Sequence, residues 1–341
     1  MKTGGAGMLP STACLTALVS AAGVWAVPAE AGADVSLAQF GALRAVDLRV
    51  ASVGYRLVTA SASLCRDQQP AIGVSLQALD RYGPSTRAAA DAAFGFEAMM
   101  AVQAVVPGGP AARAGVEAGD SLVALAGDPL PSKPGGAAGP GTPATRDAVE
   151  QRIAELPPTR PLPLSVRRDG RDLTIVVQPV PRCRTGIELV LDNGWTADSN
   201  GDRIRIGGNY VDRFDDEELA VVMAHELAHT VLRHRVRLDA AQVNRGAFAG
   251  FGRSGRLIRQ TEDDADQLSV VLLYNAGYDP SAAVRFWTKP RVPDGGLFHD
   301  RTHRSATARA ERIRAAVEAI PKGAARPLVP ATLLSRDQPL R

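Results

Sequence analysis

"VVMAHELAHTVLRH", residues 221–234, places two histidines four positions apart with a glutamate directly after the first. It belongs to a longer run, residues 214–234, in which Asp215 is followed three residues on by Glu218, the pattern of a helix N-cap and its reciprocal partner. Apolar residues follow with no glycine or proline until past Arg233, so the spacing predicts a helix. At 3.6 residues per turn His225 and His229 share one face, one turn apart, and two imidazoles can converge on a single ion. Glu226 projects beside them, where a carboxylate reaches a water on that ion and is badly placed to be a third ligand.

Candidates for the third ligand lie in "RQTEDDADQLSVVLLYNAGYDP", residues 259–280. This run predicts a second apolar helix, ended by Asn275-Ala276-Gly277 and stopped by Pro280. Glu262 and Asp266 are four apart and share a face, and Ala265 between them leaves room for close approach. Asp263 and Asp264 point elsewhere and read as solvated charges.

HELAH followed by E-x-x-A-D on a later helix resembles the gluzincin metallopeptidases of the HtpX and CAAX-prenyl-protease family. "AGYDPSAAVRFW" and "THRSATARAERI", residues 276–287 and 302–313, are similar to that family's downstream segments, so the resemblance spans roughly residues 187–320. It implies zinc bound by His225, His229 and Glu262, Glu226 as general base, and Asp266 as the acid that orients a ligand histidine. It also implies that "NGWTADSNGDRIRIGG", residues 193–208, supplies an edge strand along which an extended substrate lies. The family has His-Pro where this chain has His303-Arg304, and His303 is expected near the metal or the oxyanion. His234 and His299 match no family position and read as surface or packing residues.

A second module precedes this one. "AVVPGGPAARAGVEAGDSLVALAGDPL", residues 104–130, has a β-type apolar run, a Gly-Pro turn, a short Ala-rich helix, then Gly119-Asp120 leading into another strand. It resembles the core of a PDZ domain of the bacterial HtrA protease type. "AIGVSL" (71–76) is similar to the strand behind the carboxylate-binding loop, and "TRDAVEQRIAEL" (145–156) with "LPLSVRRDGRDLTIVVQPV" (162–180) to the closing helix and hairpin. Such a domain binds an extended peptide by adding it to a sheet edge. A purely architectural role remains the other reading. The chain departs from the PDZ pattern in an insert from Leu76 to about Phe96, which could cover or reshape the groove, and in a Gly/Pro-rich loop over residues 131–145.

Upstream, Leu37, Phe40, Leu43, Val46, Val50, Val53 and Leu57 recur in steps of three and four, one stripe of a long helix that docks on a neighbouring domain. Cys65 and Cys183 bracket the PDZ-like segment. In an exported chain such an even pair is a disulfide candidate, against the alternative of two unrelated buried thiols.

Export is expected from the start of the chain: Lys2, an apolar run from Leu15 to Val27, then Ala29-Glu30-Ala31 as a small-x-small cleavage site. The run is either cleaved or retained as an N-terminal anchor, the one route to a membrane that the sequence offers. A net charge of +3, with arginines scattered rather than striped, argues against a nucleic-acid partner.

These readings predict an α+β multidomain chain: a signal peptide over 1–31, an N-terminal helix over 32–66, a PDZ-like β-barrel or sandwich over 67–182, a mainly helical zincin domain over 183–321 and a Pro-rich tail over 322–341. The resemblance implies a Zn2+-dependent endopeptidase, periplasmic or secreted, that cleaves protein or peptide substrates and serves in quality control of misfolded envelope proteins, with the PDZ-like part recognising substrate or regulating. The alternative is a proteolytically silent scaffold or inhibitor that retains its zinc site. An intact Glu226 argues against it, since a scaffold has no need of the base.

Overall fold

A computed structural model gives the fold and describes residues 37–133, 135, 139–191, 194–244, 250–289 and 304–340. The expected export signal or anchor, His299 and His303 lie outside the described residues. Among the described residues no helix is long and apolar enough to cross a membrane.

The sequence stripe at the start becomes α1, Leu37–Ala60, with Phe40, Val50, Val53 and Leu57 buried and Leu37, at its first turn, exposed. A short pair, β1 (Gln68–Ala71) and β8 (Val180–Cys183), runs antiparallel with Gln68 opposite Cys183. Cys65 and Cys183 are disulfide-bonded here, Cα atoms 5.3 Å apart, so the bond closes the foot of the segment between them.

That segment carries β2 (Val74–Ala78), α2 (Arg87–Phe94), β3 (Met100–Val105), α3 (Pro110–Ala114), β4 (Ser121–Leu125), β5 (Asp128–Pro129), α4 (Ala144–Ala154), β6 (Leu162–Arg168) and β7 (Arg171–Val177). The sheet order is β2-β3-β4-β6-β7, with β5 paired to β4. Among the described residues β2 and β7 do not meet, so the sheet is open and the expected closed barrel is not formed. The β6–β7 hairpin turns through Asp169 and Gly170, both at positive φ (52° and 73°), the Asp-Gly chemistry of a tight primed turn. Leu122, Leu164, Val166 and Val177 fill one core under this sheet with Val149 and Ile153 of α4.

The insert after Leu76 builds a core of its own. Phe94, Phe96 and Tyr82 gather around Phe40 of α1, with the Phe40 and Phe94 rings edge to face at 5.3 Å. Such pairs add about 0.5–1.5 kcal/mol beyond the area they bury. The insert therefore fastens the start of α1.

The remaining elements are β9 (Gly186–Val190), β10 (Ala197–Ser199), β11 (Arg203–Gly207), α5 (Gly208–Arg213), α6 (Asp216–Val231), α7 (His234–Ala240), α8 (Gly252–Asn275), α9 (Ser281–Thr288) and α10 (Ala306–Glu318). A three-stranded sheet, β10-β11-β9, pairs β11 parallel to β9 and antiparallel to β10. α6 is buried over most of its surface: Leu219, Met223, Leu227 and Val231 are all buried, packed among α8, α9, β10 and α1. Each such leucine contributes roughly 1.5–3 kcal/mol by leaving water. The chain is thus a mixed α/β structure in which one central helix carries the His-Glu motif.

Candidate metal centre

α6 begins with a complete capping box: the Glu218 N–H donates to Asp215 Oδ1 at 2.9 Å, and the Asp215 N–H donates to Glu218 Oε2 at 3.2 Å. Three acidic residues in the first turn add favourable charge at the positive end of the helix dipole. The helix is thereby fixed at one end, and packing fixes its rotation. His225 and His229 consequently emerge together toward Glu262 of α8.

Nε2 of His225 stands 3.2 Å from Nε2 of His229 and 3.2 Å from Glu262 Oε2, and Nε2 of His229 stands 3.6 Å from Glu262 Oε1. These three residues form a group able to hold one metal ion, and their side chains are 12–16% exposed, so one side is open to solvent. The donor set fits zinc: bonds of about 2.0–2.1 Å in a tetrahedron put neighbouring ligand atoms roughly 3.3–3.4 Å apart.

The outward nitrogens are held as well. Nδ1 of His225 lies 3.0 Å from Asp266 Oδ1. Nδ1 of His229 lies 2.9 Å from Nδ1 of His234. For Nε2 to carry a free lone pair, the proton of each neutral ring must sit on Nδ1, and Asp266 and His234 are the acceptors in place to keep it there.

Asp266 is in turn clamped by Arg309 of α10, whose Nη2 and Nε donate to its two oxygens at 2.6 and 2.8 Å. The Arg309 guanidinium is buried and stacks over the Trp287 ring at 3.5 Å. Burial alone would raise the Asp266 carboxyl, but Arg309 and His225 reverse this and hold it down at about 2. Burial likewise acts to lower His225, and the hydrogen bonds that the ring donates to Asp266 and Glu262 overcome it, raising that imidazole to about 10. Burial pushes the Glu226 carboxyl up, with Glu262 and Asp198 adding to the effect and the two histidines opposing it. A carboxyl of raised pKa is suited to accepting a proton and giving it back near neutral pH.

The sequence reading of three residues is corrected. His234 is not a surface residue: it is 1% exposed, and its ring meets that of His229. Burial, with His229 and Arg237 beside it, pulls its pKa well below the usual histidine range and keeps it neutral. α6 does not run on to His234 as a single helix. Arg233 takes a left-handed conformation (φ 54°), α7 starts afresh, and the turn swings His234 back over His229. Asp263 is not a free solvated charge: Arg304 holds both its oxygens at 2.7 Å. Asp264 is partly buried, which raises its carboxyl. Arg309 was missed by the sequence reading, because nothing in "TARAERI" marks it apart from the many other arginines except its place on the face that carries Ala310 and Ile313 into the core.

β10 lies beside α6, with Ser199 Oγ and Thr230 Oγ1 3.1 Å apart. Among the described residues β10 pairs with β11 alone, so its other side is a sheet edge beside α6, the helix that carries His225 and His229.

Residues 194–254 match Peptidase family M48. The matched span carries His225, Glu226 and His229 and ends before Glu262, and it supports a zincin-type metallopeptidase. No curated protein matches the chain. Solved structures similar to part of it include the HtrA-type protease AlgW with decapeptide, at 20% identity and TM-score 0.25 over 34% of this chain and 30% of that one. The serine endoprotease from Yersinia pestis matches at 20% identity and TM-score 0.23 over 34% and 30%. The HtrA3 PDZ domain bound to a phage-derived ligand (FGRWV) matches at 23% identity and TM-score 0.25 over 33% of this chain and 88% of that one. The chain spans under a third of the length of the first two.

Proposed function

We propose that the chain is a zinc-dependent endopeptidase of the cell envelope, acting on protein or peptide substrates and taking part in clearing misfolded ones. The observation that carries this reading is the convergence of His225, His229 and Glu262 at 3.2–3.6 Å with Glu226 on the same helix. His225, His229 and Glu262 would hold the ion. Bound zinc supplies a Lewis acid for the scissile carbonyl and lowers the pKa of its water toward about 7.

The chain's own residues do the rest. Substrate lies extended along the open edge of β10, with main-chain hydrogen bonds fixing its register, so cleavage depends little on side chains there. Glu226 takes the proton of the attacking water and returns it to the leaving amine, which its raised carboxyl pKa favours. Asp266, steadied by Arg309, and His234 keep the two ligand rings in the metal-binding tautomer. The PDZ-like segment recognises substrate or regulates access to the centre.

The test is digestion of casein and of an unfolded envelope protein by the purified chain with one equivalent of zinc, with chelator, and after zinc is restored. Cleavage that is lost with chelator and returns with zinc is the expected result. No cleavage by the fully zinc-loaded protein of any unfolded substrate would leave the scaffold reading in its place.

A further inference from the structure

The stretch that the sequence marks as a Pro-rich tail is docked along the body of the fold. Asn275 of α8, itself buried, donates Nδ2 to the Leu328 carbonyl at 3.0 Å and accepts the Leu328 N–H at 2.7 Å. A short 3-10 turn follows over Ala331–Ser335, and residues 336–340 then cross the junction of α6 and α7.

This crossing is anchored on both sides. Arg336 Nη1 donates to the Leu64 carbonyl at 2.7 Å, and Arg66 Nη1 donates to Asp337 Oδ1 at 2.9 Å, so one side is tied to the foot that the Cys65–Cys183 bond closes. On the other side Arg233 Nη1 donates to the same Asp337 oxygen at 2.8 Å, and Nε of the buried Arg237 donates to the Gln338 carbonyl at 2.9 Å. Leu340 is buried against Val243 and Leu257. The pairs at Asp337 are exposed, and each alone is weak. Arg237 and Leu340 are buried, and their contacts carry most of the hold.

Arg233 is the residue on which this hold bears. It separates α6 from α7 at φ 54°, a region that a residue with a Cβ keeps only where its surroundings hold it there. Its guanidinium is held by Asp337, and that of Arg237, one turn further on, reaches Gln338. The same conformation starts α7 and sets His234 Nδ1 2.9 Å from His229 Nδ1. Asp337 thus reaches His229 through Arg233 and His234.

We propose that residues 336–340 are a strap that keeps Arg233 left-handed and so seats His234 against His229, which makes Asp337 and Arg237 positioning residues for that imidazole. The consequence for zinc rests on the metal reading above; the hold on the turn does not.

The experiment compares the full chain with one ending at Ser335, each as it stands and with Arg233→Gly or His234→Leu. Zinc dissociation constants are read by indicator competition, hydrogen exchange on the zinc-free proteins, and folding by unfolding midpoints. Loss of the strap should raise the zinc Kd about tenfold, the low end for losing a partner of a ligand histidine. It should speed exchange over residues 232–240 about tenfold or more while leaving residues 68–177 nearly unchanged, as local rather than global opening does. With Arg233→Gly, which adopts positive φ without strain, loss of the strap should change Kd by about twofold at most. With His234→Leu it should cost nothing further, because the path runs through that ring. Asp337→Ala, which keeps Leu340 in place, should give a smaller rise of about threefold, and it decides the matter if the chain ending at Ser335 does not fold. Unchanged Kd and exchange in the folded variant, or an equal rise with Arg233→Gly or His234→Leu present, would overturn the proposal. Full chain that takes up no zinc, with exchange over 232–240 still faster once the strap is lost, would remove the metal reading and uphold the strap.

Discussion

Asp266 Oδ1 lies 3.0 Å from Nδ1 of His225 while both oxygens of the same carboxylate are held by Arg309. One buried acid therefore makes two contacts, fixing the His225 ring and compensating a buried guanidinium. The side chains of Asp266 and Arg309 are 3% and 7% exposed, so removing either alone strands a charge away from water. Arg309→Met should destabilise the fold by roughly 3–5 kcal/mol, the usual result of breaking a buried pair. Asp266→Asn should lower zinc affinity about 10- to 100-fold. The double variant should regain much of the stability lost in Arg309→Met but none of the zinc affinity, as read by chemical denaturation and by competition with a zinc indicator.

Glu226 and Glu262 flank the same histidines and should fail in different ways. Glu262→Ala removes a donor atom that stands 3.2 Å from His225 Nε2 and leaves two neutral imidazoles, which hold zinc far more weakly. Metal and activity should be lost together. Glu226→Gln keeps all three donors, so zinc stays stoichiometric while turnover falls by the roughly 10²-fold or more of a lost general base. Zinc content after dialysis, measured beside peptidase rate, separates the two. Stoichiometric zinc and normal turnover in Glu262→Ala would move the third ligand elsewhere.

Local pattern made much of this legible before the fold was known. The capping box at Asp215 and Glu218 and the helical phase of His225 and His229 are each decided within a few residues, where spacing and backbone preference suffice. What spacing cannot carry is the partner across the fold. The stripe from Phe40 to Leu57 says that α1 buries a face; it does not say that one face serves the insert and α6 at once. Arg309 is 43 residues from Asp266 and sits among many arginines. His234 was hidden differently. Continuing α6 places it about 140° around from His229, and only the left-handed residue at Arg233 brings the two rings together. The open sheet was likewise illegible, since closure depends on whether β2 and β7 meet.

Asp47 gives a pH signature that is separate from the metal centre. Burial raises its carboxyl from 3.8 to about 6, against Arg81, Gln103 and Arg146, which lower it, and with Glu188 adding to the rise. A carboxyl whose folded pKa lies above its unfolded one stabilises the fold in its protonated form. Its contribution is fully present below about pH 3.8 and is lost as pH rises through about 6. The size is about 3 kcal/mol at most for a shift of this kind. Asp47→Asn should flatten the stability of the zinc-loaded protein between pH 4 and pH 6 relative to wild type, gaining most at the upper end. Denaturation midpoints across that window that remain parallel for the two proteins would show that Asp47 ionises freely in the fold.

The last prediction concerns His234, whose Nδ1 meets Nδ1 of His229 at 2.9 Å while its Nε2 finds no hydrogen-bond partner among the described residues. Only one proton can lie between the two Nδ1 atoms. If His229 is to offer Nε2 to a metal, that proton belongs to His229, and His234 must accept it as the neutral ring that its burial enforces. His234→Leu removes the acceptor but keeps the bulk, so the His229 Nδ1–H is left buried and unmatched, a cost of about 1–3 kcal/mol. The ring can escape that cost by carrying its proton on Nε2, which is the tautomer that cannot bind zinc. Zinc affinity should therefore fall about 10- to 100-fold. His234→Asn places an amide oxygen near the position of Nδ1 and should restore most of the affinity, although it fills less space than His234→Leu. A role in packing alone predicts the reverse order, with leucine the better replacement. Zinc dissociation constants for the two variants, taken with their unfolding midpoints, decide between these, and equal affinity in both would show that His229 needs no acceptor.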